Sequence, residues 1–355
     1  MSGFFSPKFN KLIPYTPGEQ PQDKNYIKLN TNESPFLPSP NVVKAICDEN
    51  ALKLQLYPDP KCHQLKKALA AQHSVSEQNI FVGNGSDEVL SFLFMAYCDN
   101  NCGAAFADIT YGFYKVFAQL YNIDYTEIAL REGFYLKSSD YYNLNKSIFI
   151  ANPNAPSGLY IPVEQIKSIL DNNPKNIVVI DEAYIDFGAQ SCKVLLKDYK
   201  NLVVVRTFSK SRSLAGARVG YAIADSEIIC DLETLKYSTN PYNVSRMAQF
   251  AATAATYDNS YYTEMCCKIQ CTRERIKQRL LELGCTVTDS KTNFVFMSVN
   301  GIGGSDLYLK LKQKGILVRH FNQSSIDKFI RVTIGTDSDM DIFLDQVQQI
   351  IEEKQ

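Results

Sequence analysis

From about residue 79 to 224 the chain alternates short β-branched or apolar runs with longer helix-like stretches, the pattern of a mainly parallel sheet with helices on both faces. The runs are Ile80-Phe81-Val82, Ala104-Ala105-Phe106-Ala107, Ile148-Phe149-Ile150-Ala151, Ile177-Val178-Val179-Ile180 and Leu202-Val203-Val204-Val205. None alternates with polar residues, so they read as strands buried on both faces. Sheets of this kind bind ligands beyond the carboxyl ends of their strands. The residues here that can carry chemistry follow directly on those runs.

Gly83-Asn84-Gly85-Ser86-Asp87-Glu88 lies between the first run and an apolar helical stretch ending at Tyr97. The backbone N–H groups of Gly85 and Ser86, at a helix start, would cradle a phosphate, with the Ser86 hydroxyl beside them. Taken alone, the stretch is equally a turn and an N-cap, with Asp87 and Glu88 complementing the helix dipole. Asp181 ends the run Ile177 to Ile180, so it would be partly buried and needs a partner; a protonated pyridine nitrogen is suitable. Such a pair keeps the ring electron-poor. Tyr184 can donate to a ring oxygen, although Asp-Glu-Ala-Tyr alone would also pass for an ordinary helix start.

Lys210 follows the run ending at Val205, among the hydroxyls of Thr207, Ser209, Ser211 and Ser213. Partial burial and nearby Arg218 would disfavour its ammonium form, as a carbonyl-attacking amine requires. Arg218 would grip a phosphate with two parallel hydrogen bonds, close to Thr207 and Ser209. Tyr111 suits a stacking role or a place in the core. The loop Asn152-Pro153-Asn154-Ala155-Pro156-Ser157-Gly158 can bring amides to a ring oxygen. An anion cradle, a carboxylate, an amine and a guanidinium along one sheet edge together suit pyridoxal 5′-phosphate.

Charge excludes other classes. With 37 basic against 38 acidic residues, a formal net charge of -1, the chain offers no field for nucleic acid or an anionic membrane, which leaves small-molecule substrates. The opening residues show no secretory signal pattern, and no apolar run nears the ~20 residues that span a bilayer, so a soluble, cytoplasmic protein is expected. Ten scattered cysteines read as reduced thiols. Cys98 with Cys102, and Cys266, Cys267 and Cys271, lack C-x-x-C spacing, and with three histidines in the chain no metal is expected. No basic helix-turn-helix precedes residue 28, which argues against a ligand-sensing regulator.

The expected organisation is an N-terminal arm (1–27), a large cofactor-binding domain (50–255) and a smaller α+β domain built from 28–49 with 256–355. A long helical stretch, Asn243 to Gly284 with a break near Asp258, links the two.

Read together, these residues resemble the fold type I pyridoxal phosphate enzymes and, among them, the histidinol-phosphate aminotransferase family, over nearly the whole chain. Lys28-Leu29-Asn30-Thr31-Asn32-Glu33-Ser34-Pro35 is similar to that family's opening segment. Tyr57-Pro58-Asp59-Pro60 is similar to a loop whose tyrosine reaches the cofactor phosphate of the neighbouring subunit, which implies a homodimer with shared sites. The resemblance implies that Lys210 is the Schiff-base lysine, Asp181 the ring-nitrogen partner, Tyr184 the donor to the 3-oxygen, Tyr111 the stacking ring and Arg218 the phosphate arginine. Gly85, Ser86, Asp87, Thr207, Ser209 and Tyr57 would complete the cofactor site.

Gly315-Ile316-Leu317-Val318-Arg319 and Ile330-Arg331-Val332-Thr333-Ile334-Gly335-Thr336 also match, and Arg319 and Arg331 would converge on a phosphate ester of the substrate. Two guanidiniums suit a dianion. Asn32 would help bind the substrate, as would Tyr15, from the partner subunit. The implied reaction interconverts histidinol phosphate plus 2-oxoglutarate and imidazole acetol phosphate plus glutamate, in histidine biosynthesis. A threonine-phosphate decarboxylase-like lyase and a broad aromatic aminotransferase are the alternatives. One place departs from the pattern: where many relatives carry asparagine before the second proline of the N-P-x-N-P-T-G loop, this chain has Ala155, and Asn154 is the nearest amide that could replace it.

Overall fold

The computed structural model describes residues 4–10 and 12–354. Seven strands form the larger sheet in the order Ile80–Gly83, Gly220–Ile223, Leu202–Thr207, Val178–Asp181, Ser147–Ala151, Ala104–Ala107 and Tyr125–Ile128. Gly220–Ile223 runs antiparallel to both its neighbours, and the other pairings are parallel. Two of these strands have no counterpart among the five apolar runs. Tyr125–Ile128 is an edge strand with Thr126 and Glu127 exposed, and Gly220–Ile223 opens on glycine straight after the Arg218 loop.

Both faces of the inner strands are buried, which is why their runs are largely apolar without alternation. Phe81, Phe106, Phe149, Val179, Val203 and Val205 pack into one core. Val82, Ile148, Ile150, Val178, Ile180, Leu202 and Val204 pack into the other. Within the first, Phe94 of the helix Gly85–Tyr97 stacks on Phe149 with ring centroids 3.9 Å apart.

Register then lines up the chemistry. Ala151 is the partner of Asp181, Asp181 of Val205, and Gly220 of both Thr207 and Gly83. The carboxyl ends of the parallel strands and the amino end of Gly220–Ile223 therefore form one edge, and the loops there carry the candidate residues.

The smaller sheet is antiparallel, in the order Arg319–His320, Ile330–Thr333, Phe294–Ser298, Thr286–Val287. Ile27–Lys28 pairs in parallel with Ile316–Leu317 beside it. Apolar residues of the helices Asn259–Glu282, Gly304–Gln313 and Asp337–Glu352 fill the third core with those of these strands. One segment departs from the expected division: Val42, in the helix Pro40–Ile46, is buried in the core of the larger sheet, although the sequence assigns residues 28–49 to the smaller unit. That helix packs on Arg246–Tyr257, whose Ala248, Ala251, Ala252 and Ala255 offer the small apolar face it needs.

Phe94→Ala should destabilise the fold by about 3–5 kcal/mol, because the Phe149 stack and its neighbours cannot collapse onto an alanine. Denaturant unfolding of the purified variant checks this.

Candidate active site

A cleft of about 570 Å³ opens at the strand-end edge. At one part of its wall the helix Gly85–Tyr97 begins, and Asn84 caps it with no side-chain hydrogen bond, so first-turn N–H groups are left for a ligand. Gly85 has φ +78°, and a Cβ there would lie 2.6 Å from Nη2 of Arg218. A Cβ on Gly220 would lie 2.2 Å from the backbone nitrogen of Ser86. The two glycines thus let the Arg218 guanidinium and the helix start approach one another closely. Arg218 pairs with Asp87 at 2.8 Å, and Tyr111 donates to the same carboxylate at 2.6 Å. Thr207 donates to Ser209 at 3.0 Å, leaving the Ser209 proton for another acceptor. All five of Ser86, Asp87, Thr207, Ser209 and Arg218 line the cleft.

Asp181 is buried and accepts from Tyr114 Oη at 3.1 Å and from the Ala183 N–H at 3.2 Å. No cation lies within ion-pair distance of it among the described residues. Burial pushes its carboxyl up to about 7, against the opposing pull of those two donors. A protonated ring nitrogen would supply the missing charge.

Lys210 is half-buried and donates to the Thr31 carbonyl at 3.2 Å. Burial lowers its amine to about 8, helped first by the Arg331 charge and only weakly by Arg218. The sequence points to Arg218 for this effect, and the structure gives Arg331 the larger share. Tyr184 lines the cleft, with its ring 5.8 Å from Lys210 Nζ.

Arg319 and Arg331 are direct partners across two antiparallel strands, which puts two like charges on one face. Neither has a carboxylate within ion-pair distance among the described residues. Both flank the Phe321 ring at 5.6 Å. Arg319 donates to the Thr16 and Pro17 carbonyls at 2.8 and 3.0 Å, and Arg331 to the Asn30 carbonyl at 3.1 Å. The Nε of Arg331 is buried with no partner in the protein. An anion bound between them would relieve the repulsion and take up that N–H.

Tyr15 and Asn154 sit differently from the sequence reading. Tyr15 lies on its own chain's cleft, stacked on Phe113 with centroids 4.3 Å apart, because the arm crosses from Gln119 to Arg319 within one chain. Asn154 does not line the cleft: it accepts from Thr110 at 2.9 Å and donates to the Ile109 carbonyl and Ser157, both at 3.0 Å. Ala155 faces the cleft in its stead. Asn32 reaches the cleft wall with its amide engaged by Tyr184 and Thr333. Tyr57 lies away from this cleft, 76% exposed and stacked on Tyr242.

Other contributors leave little or no mark in the sequence. Tyr114, a helical aromatic in an apolar run, carries no motif that marks it as the Asp181 donor. Arg206 precedes Thr207 and pairs with Glu182 at 2.9 Å and Asp186 at 3.0 Å. An arginine inside a buried strand run was the available signal, since such a charge must find partners.

Comparison with known proteins agrees with this geometry. Residues 24–347 match the aminotransferase class I and II family. The chain is 51% identical over 352 residues to a histidinol-phosphate aminotransferase of Brachyspira hyodysenteriae, covering 99% of both chains. It is 48% identical over 351 residues to one of Clostridium acetobutylicum, covering 99% of this chain and 100% of the relative. Its fold superposes with a TM-score of 0.90, at 26% identity, on the crystal structure of histidinol-phosphate aminotransferase from Sinorhizobium meliloti in complex with pyridoxal-5'-phosphate, covering 100% of this chain and 99% of that one.

In the unliganded protein, the Lys210 amine should titrate near 8. Arg331→Met should move that midpoint upward, towards an ordinary lysine, and Arg218→Met should move it less. Reductive ¹³C-methylation followed by NMR at stepped pH reads it directly.

Proposed function

Because the chain belongs to the class I and II aminotransferase family, we propose that it transfers the amino group between histidinol phosphate and 2-oxoglutarate, giving imidazole acetol phosphate and glutamate, with pyridoxal 5′-phosphate as cofactor. The observation that carries the substrate class is the facing pair Arg319 and Arg331, two unneutralised guanidiniums in the cleft that also holds Lys210. One planar fork satisfies a carboxylate, and two suit a phosphate dianion. The residues present fit the cofactor: an anion cradle at Gly85–Asp87 with Arg218, a buried carboxylate without a cation at Asp181, and an amine of lowered pKa at Lys210 in the same cleft.

When bound, pyridoxal phosphate supplies a ring that stabilises negative charge at the substrate carbon. Asp181, buried without a cation, would keep a proton at the ring nitrogen. Tyr184 would donate to the ring 3-oxygen. Arg218, the Ser86 and Asp87 amides and the Thr207 and Ser209 hydroxyls would bind the cofactor phosphate. Lys210 would hold the cofactor and, as a neutral amine, would move a proton to and from the substrate Cα. Tyr111 would pack on the ring. The arm at Tyr15 to Pro17, held by Arg319, forms part of the cleft wall.

We place this reaction in the cytoplasm, in a homodimer. No helix among the described residues is long and apolar enough to cross a membrane. Leu52, Leu54, Leu56 and Tyr57 are all more than half exposed, while Arg246, Gln249 and Lys236 hold the Tyr57, Asp59 and Pro60 carbonyls at 2.6 to 2.9 Å. An apolar edge presented on so rigid a loop suits a second subunit, whose site Tyr57 would reach.

Glutamate alone should convert the bound cofactor to its stable amine form, with a loss of visible absorbance and no release of carbon dioxide; decarboxylation of threonine phosphate would instead support the lyase alternative. Arg331→Ala should raise KM for histidinol phosphate by roughly 100-fold or more, with cofactor occupancy preserved. An unchanged KM would remove Arg331 from the substrate site. Leu54→Asp combined with Leu56→Asp should lower the sedimentation mass to that of one chain, with turnover lost in parallel.

A further inference from the structure

Tyr184 sits at the end of a hydrogen-bond chain whose direction is set at its far end. The Asn32 backbone N–H donates to Thr333 Oγ1 at 3.0 Å, and the Thr333 proton then goes to the Asn32 side chain at 3.1 Å. The Thr333 hydroxyl has no other acceptor among the described residues, so the end of the amide it meets is the oxygen and the amide nitrogen faces Tyr184, 2.9 Å from the phenol. An amide nitrogen only donates. The phenol oxygen therefore accepts, and its own proton must point elsewhere. Among the described residues it has no acceptor, and Tyr184 lines the cleft.

The amide is held against rotation by its bonds to Thr333 and Tyr184. Asn32 is buried, and its backbone is fixed at φ +54° with the main-chain carbonyl accepting from Asn293 at 3.0 Å. The loop 152–158 supplies no free side-chain amide to the cleft: Ala155 lines it with no side-chain donor, and Asn154 is bound within its own loop.

We propose that Asn32 and Thr333 are positioning residues that make Tyr184 a one-way donor to the cofactor's 3-oxygen, the function that Ala155 leaves to a single side chain in this protein. This rests on the pyridoxal phosphate reading above. The reach of the idea is specific: exchanging the amide for a carboxylate of the same shape reverses the hydrogen bond, because the ionised carboxylate would accept the Tyr184 proton and withdraw it from the cleft.

The test uses the cofactor-loaded enzyme and three variants, Asn32→Asp, Asn32→Ala and Thr333→Val. A donor to the ring oxygen favours the deprotonated chromophore, so its loss in Asn32→Asp should raise the pH midpoint of the visible band by more than about 0.5 unit. At alkaline pH kcat should fall by roughly 100-fold, as for the loss of one oriented donor. Lowering the pH should recover part of the rate as the introduced carboxylate takes up a proton and can donate again. Asn32→Ala should cost less than Asn32→Asp, because the phenol stays free to face the cleft. Thr333→Val, which frees the amide to turn over, should shift the midpoint in the same direction, and it carries the test if Asn32→Asp does not fold.

Adding Ala155→Asn to Asn32→Asp should restore the midpoint by supplying a new donor from the loop 152–158. Equal midpoints in wild type, Asn32→Asp and Thr333→Val would overturn the proposal, as would an Asn32→Ala effect matching that of Asn32→Asp. If the wild type itself gives no visible band with pyridoxal phosphate, and borohydride labels no peptide containing Lys210, it is the cofactor reading that fails.

Discussion

Arg206 is the ion on which the site's geometry depends. It is buried, with Glu182 and Asp186 as its partners. Ser191 and the Cys192 N–H donate to Glu182 at 2.7 Å, and Ser211 donates to Asp186 at 2.5 Å. Three of these groups are chain neighbours of site residues: Glu182 of Asp181, Arg206 of Thr207, Ser211 of Lys210. Removing one partner from a buried ion cluster leaves a charge uncompensated, at a cost of about 3–5 kcal/mol. The cluster therefore tolerates one arrangement of the two strand ends and the lysine loop, and the cleft inherits it.

The cleft itself is arranged at the expense of stability. Asp181 is a carboxylate buried without a cation, Lys210 an amine whose protonation is opposed by burial and by Arg331, and Arg319 faces Arg331 across a strand pair. Each arrangement is unfavourable by itself and is relieved when a ligand brings the complementary group. Such opposed shifts, gathered in one concave site, are the signature of groups kept ready for chemistry.

Residues 30–32 join the two sheets through the same groups. Asn30 accepts from Arg331, Thr31 from Lys210, and Asn32 donates to Tyr184, while Thr333 and Asn293 hold that segment to the smaller sheet. A shift of the smaller unit would thus be felt at the lysine, the tyrosine and the substrate arginine together.

The apolar runs determined by themselves that residues 80–207 build a buried, mainly parallel sheet, because strands covered on both faces admit no polar alternation. They also placed Asp181 and Lys210 at its functional edge, since a charge just after such a run cannot be ignored by the fold. Tyr125–Ile128, half polar at an edge, and the antiparallel Gly220–Ile223 left no comparable trace. Which wall supplies each hydrogen bond was decided only by tertiary structure. Tyr114 on Asp181, Arg331 beside Lys210, Tyr15 over its own cleft, Asn154 turned into its loop and Asn32 on Tyr184 and Thr333 join residues up to 301 positions apart in the chain. No local pattern encodes those pairings, because they depend on how the separate elements pack and on which buried polar groups are left needing a partner.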